Sequence, residues 1–190
     1  MTPRNKHSLA RQLKLAYGHN KQSATPLELH LAGLAHAEEH GGMLPPDGNW
    51  RRWSVAQHQE SASEVWPASQ CVWLSPDAMQ PLGDVLDPDA IYVIGGIVDP
   101  AVRRGVTLER AEQSGARSAR LPLREHCDLR HGSVLSLYAV AQLLGSVSGG
   151  VSWEESIATS QASGSWWSYW NEHQRDKQRA RTAKRAEALH

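Results

Sequence analysis

Residues 91–99, IYVIGGIVD, with Pro100 behind them, constrain this chain more than any other stretch. Six of the nine are β-branched or aromatic, side chains that suit a pleated, half-buried backbone, and no charge appears before Asp99. The segment reads as a buried strand. Gly95 and Gly96 interrupt it, and glycine within a strand lets another group approach the backbone closely. Pro100 has no N–H to give, so the ladder stops behind Asp99. A carboxylate is thereby left at the C-terminal mouth of a strand, where open α/β sheets bind their ligands. The same letters also describe a plain strand followed by a turn.

Around this strand the chain alternates. Residues 71–74, CVWL, read as a short strand. Ser75, Pro76 and Asp77 then supply an N-cap, a proline at the first helical position and an acid in the first turn. After an arginine-rich loop, residues 107–114 predict a helix closed by Gly115, residues 116–123 a strand ending in LPL, and residues 134–144 an apolar helix. Ser152 and Glu155 form a capping box that opens a helix towards Gln161. Strands separated by helices predict a parallel sheet with helices on both faces. On the N-terminal side, residues 7–18 place Leu9, Leu13 and Tyr17 at fourfold spacing on an amphipathic helix. Thr25 and Glu28 make a capping box for a helix over residues 26–40, closed by Gly41 and Gly42. Residues 41–70 read as a long connection that Trp50, Trp53 and Trp66 pin to the body.

The expected organisation is one domain over residues 1–162 and a Trp-rich, basic tail over residues 163–190, helical or disordered. Formal net charge is zero, but residues 1–25 hold five basic side chains and no acid, residues 26–170 nine against seventeen, and residues 171–190 six against three. A polycationic surface therefore comes from the two ends, unless those runs are plain solvated faces. Cys71 and Cys127 stand in no CxxC or zinc-knuckle spacing, so neither a disulfide framework nor a structural metal is expected. No run of about 18 apolar residues offers a helical membrane span, and no apolar leader follows Met1. The N-terminus is basic and free of acid, as organelle transit peptides are. The expectation is an intracellular protein, with nucleus, cytoplasm and organelle all open.

Several chemistries drop out on spacing. No GxGxxG follows a strand, no P-loop pattern occurs, and GSVSG has valine where a hydrolase elbow needs its nucleophile. His36, Glu39 and His40 spell HxxEH, the pattern of an inverted zinc peptidase, but the helix they need ends at once at Gly41 and no third ligand is marked. No metal site is expected.

Together, ARQLKLAYGHNK, CVWLSPDA, LDPDAIYVIGGIVD, the ARLPL strand and SVLSLYAVAQLL stand in the order and spacing of the tRNA N1-purine methyltransferases of the SPOUT class that act on the ninth nucleotide. Over residues 7–158 the chain resembles the catalytic domain of that family. The resemblance implies an α/β fold, a SPOUT-type parallel sheet flanked by helices, with a C-terminal trefoil knot, a rare exception to the rule that chains do not thread. It implies that the methyl donor, S-adenosyl-L-methionine, is held by knot loops carrying Leu74, Ser75, Gly95, Gly96, Gly105, Thr107, Leu121, Leu123, Val134, Leu135, Leu137 and Val140. Small and apolar residues suit an adenine face and close main-chain approach.

Asp99 matches the family's proposed general base, acting on N1 of guanine, or orienting adenine. Arg11, Gln12, Asn20 and Lys21 match the polar motif that the family places near the target nucleotide, and Arg103 and Arg104 stand where they could hold phosphates. The implied partner is tRNA, met by a monomer without a membrane. Tyr138 occupies a position where the family usually has asparagine. The alternative is thus a non-catalytic tRNA-binding or scaffold subunit with a degenerate donor site. The family's basic N-terminal extension is almost wholly absent, which implies a trimmed chain, a fragment or a naturally short member, with weak tRNA binding expected of a trimmed one.

Overall fold

The computed structural model describes residues 3–39, 49–96, 105–127 and 135–162. Helix α1 (Pro3–Gln22) comes first, longer at both ends than its apolar spacing predicts, with Leu9, Ala10 and Ala16 buried along it. The helix expected over residues 26–40 forms only from residue 34 onward. Asn20 intervenes: its Nδ2 donates to the Leu27 carbonyl at 2.9 Å, and its Oδ1 accepts from the Leu27 N–H at 2.8 Å. Leu27 is thereby held outside any helix, and strand β1 (His30–Leu31) follows, paired in parallel with β2 (Ala56–Gln57). Helix α2 (Leu34–Glu39) starts only after Gly33, whose φ of 78° lies in the region that favours glycine. Long-range pairing has overridden a local capping signal worth about 1 kcal/mol.

The connection to the main sheet holds short elements and is pinned as expected. Trp50 is buried in a 3₁₀ turn (Asn49–Arg52), and Trp53 stacks on Tyr17 of α1 with ring centroids 4.6 Å apart. Trp66 packs edge-on against His30 and His58, each at 5.0 Å. A one-turn helix, α3 (Ala62–Val65), is opened by Glu64, whose carboxylate accepts from the Ser61 N–H at 2.8 Å.

The main sheet is parallel. Strands β3 (Cys71–Leu74), β4 (Ile91–Ile94) and β5 (Arg117–Ala119) lie in the order β4–β3–β5, and every residue of β3 is buried. Side chains alternate across a strand. Val72 and Leu74 accordingly join Ala119, Leu123, Leu143, Trp153 and Ile157 in one core, while Cys71 and Trp73 join Ala62 and Ala111 in another. The first core is closed by α5 (Leu123–His126), α6 (Leu137–Ser148) and α7 (Trp153–Ala162), the second by α3 and α4 (Val106–Ser114). Helices on both faces are what a parallel sheet requires.

Three further boundaries move. The helix expected from Ser75 is a turn, because the Asp77 N–H donates to Ser75 Oγ at 3.2 Å while its carboxylate accepts from the Gly105 N–H at 2.9 Å. β5 stops short of residue 123, since the Leu123 N–H turns back to the Leu121 carbonyl at 2.8 Å. α6 begins at Leu137, where Ser136 caps it by accepting from the Ala139 N–H at 3.0 Å. No helix among the described residues is long and apolar enough to cross a membrane.

Leu143 is completely enclosed in the larger core. Leu143→Ala should cost about 3 kcal/mol, the middle of the range for emptying such a site. Urea denaturation checks this as a lower midpoint with an unchanged slope.

Candidate functional site

The register of the main sheet sets its strand ends level. Leu74 lies opposite Ile94 on one side and Ala119 on the other, so the chain leaves all three strands at one edge, into segments that start with Ser75, Gly95 and Arg120. Leu74 and Ser75 are buried at that edge, and the Ser75 N–H donates to the Ala119 carbonyl at 2.9 Å. At Gly95 an added Cβ would stand 2.9 Å from Thr107 Oγ1. Glycine there lets the first turn of α4 close onto the strand end. Gly105, at φ 83°, precedes α4 and gives its N–H to Asp77. Asp77 thus bonds the segment after β3 to the helix after β4.

The third segment is clamped by charge. Arg120 donates to both carboxylate oxygens of Glu125, at 2.9 and 2.6 Å, across the turn that carries Leu121 and Leu123. This hydrogen-bonded pair holds the Glu125 carboxyl below its usual range and pushes the Arg120 guanidinium up. Leu123 sits in the larger core, with Leu121, Leu135 and Val140 packed against it.

At the start of α6 the Leu137 N–H donates to Gln12 Oε1 at 2.8 Å. Gly95, Gly96 and Leu137 line a cleft of about 2060 Å³, together with Leu9 and Leu13 of α1 and the residues of β4. That volume exceeds the 300–1,000 Å³ or so that a small ligand takes. Of the described residues expected to hold a donor, Gly95, Gly96 and Leu137 line the cleft.

Of the residues expected there, Leu74, Ser75, Gly95, Gly96, Gly105, Thr107, Leu121, Leu123, Leu135, Leu137 and Val140 follow the three strand ends or open α6. Val134, Asp99, Arg103 and Arg104 lie outside the described residues. The polar motif of α1 divides in two. Arg11 and Lys21 are exposed, whereas Asn20 is taken up by Leu27, and Gln12 is buried against α6. Next to Asn20, His19 meets Tyr138 edge-on with ring centroids 6.0 Å apart. Sequence reasoning missed the bonds of Asp77 and the contact of His19; neither leaves a local pattern. Of the HxxEH letters, His36 and Glu39 lie on α2, Glu38 is 3.2 Å from Arg51, and His40 lies outside the described residues. Among the described residues no group of three or more His, Cys, Asp or Glu could hold a metal.

The model of a family described as tRNA (guanine(9)-N(1))-methyltransferase TRM10/TRM10A matches residues 1–160. The tRNA (guanine(9)-N(1))-methyltransferase Trmt10A of Drosophila melanogaster is 32% identical over 142 residues, covering 74% of this chain and 44% of that protein. The chain spans about half the length of the curated relatives it matches. Among solved structures, spTrm10(74) is similar with a TM-score of 0.72 at 24% identity, covering 84% of this chain and 86% of that one. The SAH complex of full-length spTrm10 gives 0.69 at 23% identity, with 84% and 87% covered. At such identities the likeness is one of fold.

Gly95→Ala should cost about 1–3 kcal/mol, as overpacking does. Adding Thr107→Ala should recover most of the loss, because the clash is with that side chain. Denaturation of both single variants and the double variant closes the cycle; additive losses would refute the contact.

Proposed function

This chain belongs to the tRNA (guanine(9)-N(1))-methyltransferase family, and from that premise we propose that it transfers a methyl group from S-adenosyl-L-methionine to N1 of the purine at position 9 of tRNA, guanine in the first place. The observation that carries the reading is the level end of three parallel strands. There Ser75, Gly95 and the turn through Leu121 adjoin one another, with Leu137 of α6 on the same cleft as Gly95. Small and apolar groups of this kind fit an adenosine: they let main chain come close and give an aromatic face dry walls. The SAH complex of full-length spTrm10 supports the choice of donor. The same reading folds the segments after β4 and β5 into a trefoil knot, in a monomer that acts inside the cell.

The donor supplies an electrophilic methyl on a sulfonium; the rest falls to the chain. Guanine N1 carries a proton, and its lone pair becomes free to attack only as that proton leaves. A carboxylate within hydrogen-bond reach takes it, and Asp99, beyond the end of β4, is the group assigned here. An ordinary aspartate titrates near pH ~3.9, so its effect comes from placement in a site that excludes water rather than from basicity. Adenine N1 has no proton to lose, and towards that base the same carboxylate orients. Arg11 and Lys21 on α1, with Arg103 and Arg104, hold phosphates and so position the tRNA without reading its sequence.

One observation favours a second reading. Tyr138 and His19 place an aromatic pair beside the start of α6, and a chain that has given up donor chemistry there would serve as a tRNA-binding or scaffold subunit.

The deciding experiment incubates the protein with S-adenosyl-L-methionine and tRNA transcripts bearing G or A at position 9, and maps modified nucleosides by mass. N1-methylguanosine at position 9 is expected; tRNA binding with no methyl on either transcript selects the second reading. Asp99→Asn should lower single-turnover transfer to guanine by about 10²–10⁴-fold with donor binding retained in calorimetry, and full activity would remove the base role. Affinity for tRNA should fall steeply with salt, and removing residues 171–190 should flatten that dependence by about one unit of slope for each phosphate that the tail neutralises. An unchanged slope would make the tail a spectator.

A further inference from the structure

Leu137 is the first residue of α6, and its N–H is among the amides at a helix start that no carbonyl of the same helix can meet. Ser136 Oγ satisfies the amide of Ala139, and Gln12 Oε1 satisfies that of Leu137 at 2.8 Å, from a helix 125 residues earlier. Gln12 is only 8% exposed. Water therefore cannot readily replace it, and a buried amide left without an acceptor costs about 1–3 kcal/mol. The orientation of the Gln12 amide is itself fixed: its Nε2 donates to Ser8 Oγ at 3.2 Å, one turn back on α1. A flipped amide would point NH₂ at an N–H.

We propose that Gln12 is a positioning residue for the methyl donor, its side-chain oxygen fixing the start of α6, and with it Leu137, on the cleft that Gly95 and Gly96 also line. The proposal rests on the donor site assigned above and deepens it. It places Gln12 on the donor side of α1, not on the side that meets tRNA. Arg11, the neighbouring residue, is exposed, so one turn of α1 offers a cation outward and an acceptor inward. The nearby bonds of α1 do not duplicate this one: Asn20 holds Leu27, and Tyr17 carries Trp53.

The test is calorimetric titration of the whole chain with S-adenosylhomocysteine. A wild-type chain that binds none of it refutes the donor site itself, before any variant is compared. Given wild-type binding, Gln12→Met, which keeps the length and loses the acceptor, should raise the Kd about tenfold. Its affinity for tRNA in gel shift should stay within about twofold of wild type. Gln12→Glu keeps an acceptor oxygen, now charged and placed at a helix start where a negative charge is favoured, and should bring the Kd back to within about threefold. A merely structural role would not distinguish Met from Glu in this order, because Glu is the costlier side chain to bury. An unchanged Kd in Gln12→Met, equal losses in Met and Glu, or a loss confined to tRNA affinity overturns the proposal. If Gln12→Met does not fold, Ser8→Ala carries the test: it frees the amide to turn, and a rise in Kd of about two- to threefold is expected. No rise overturns the proposal.

Discussion

A slip of one residue between β3 and either neighbour would turn Val72 and Leu74 away from the larger core and put Cys71 and Trp73 in their place. Both faces of β3 are packed, so neither set has water to retreat to. The register that satisfies both cores is also the one that brings Leu74, Ile94 and Ala119 level. Site and core are therefore one constraint. The segments that leave this edge are then joined by a few polar bonds: Ser75 to Ala119, Asp77 to Gly105, Arg120 to Glu125. Trp153 extends the same frame from the far side, donating its indole N–H to the Gly83 carbonyl at 2.9 Å and tying α7 to the chain that follows β3.

What the sequence makes legible follows from how local each signal is. β3 and β4 announce themselves through β-branched and aromatic residues, α4 through Gly115 in the left-handed region at its end, and α7 through Ser152. Each of these signals is read within a few residues of the element it marks. The two expected helix starts that do not form, near residues 26 and 75, are overruled by partners outside any such window. Asn20 takes up Leu27 and prevents a helix over residues 26–33, and Asp77 reaches 28 residues ahead to Gly105 and leaves a turn in place of a capped helix. The site shows the same limit. Gly95 marks a place of close approach, but that Thr107 does the approaching is visible only in the structure. Gln12 reads as one polar letter on an amphipathic helix, and its partner stands 125 residues away.

The family membership and the geometry bear on different parts of the molecule. The match over residues 1–160 says what kind of chain this is. The described residues say how such a chain sets three strand ends level at one edge of its sheet, with Gly95 and Gly96 on a cleft beside α1. Under the proposed function, small and apolar residues at those ends suit a ligand recognised by main-chain approach and apolar faces.

Basic side chains outnumber acidic ones only in the two ends of the chain. All five lysines fall within residues 1–25 and 171–190, while the stretch between them is acidic overall. A zero net charge therefore does not argue against a polyanionic partner, because screening near 0.15 M salt confines what a phosphate feels to charges within about 8 Å. α1 belongs to both systems. Arg11 and Lys21 are exposed along it, while Leu9, Leu13 and Gln12 face the cleft and α6. Under the proposed function, one helix serves the long-range, salt-sensitive part of recognition on one side and the short-range, packed part on the other. Its position is set by the packed part, since the apolar contacts and the buried amide bond hold at any ionic strength.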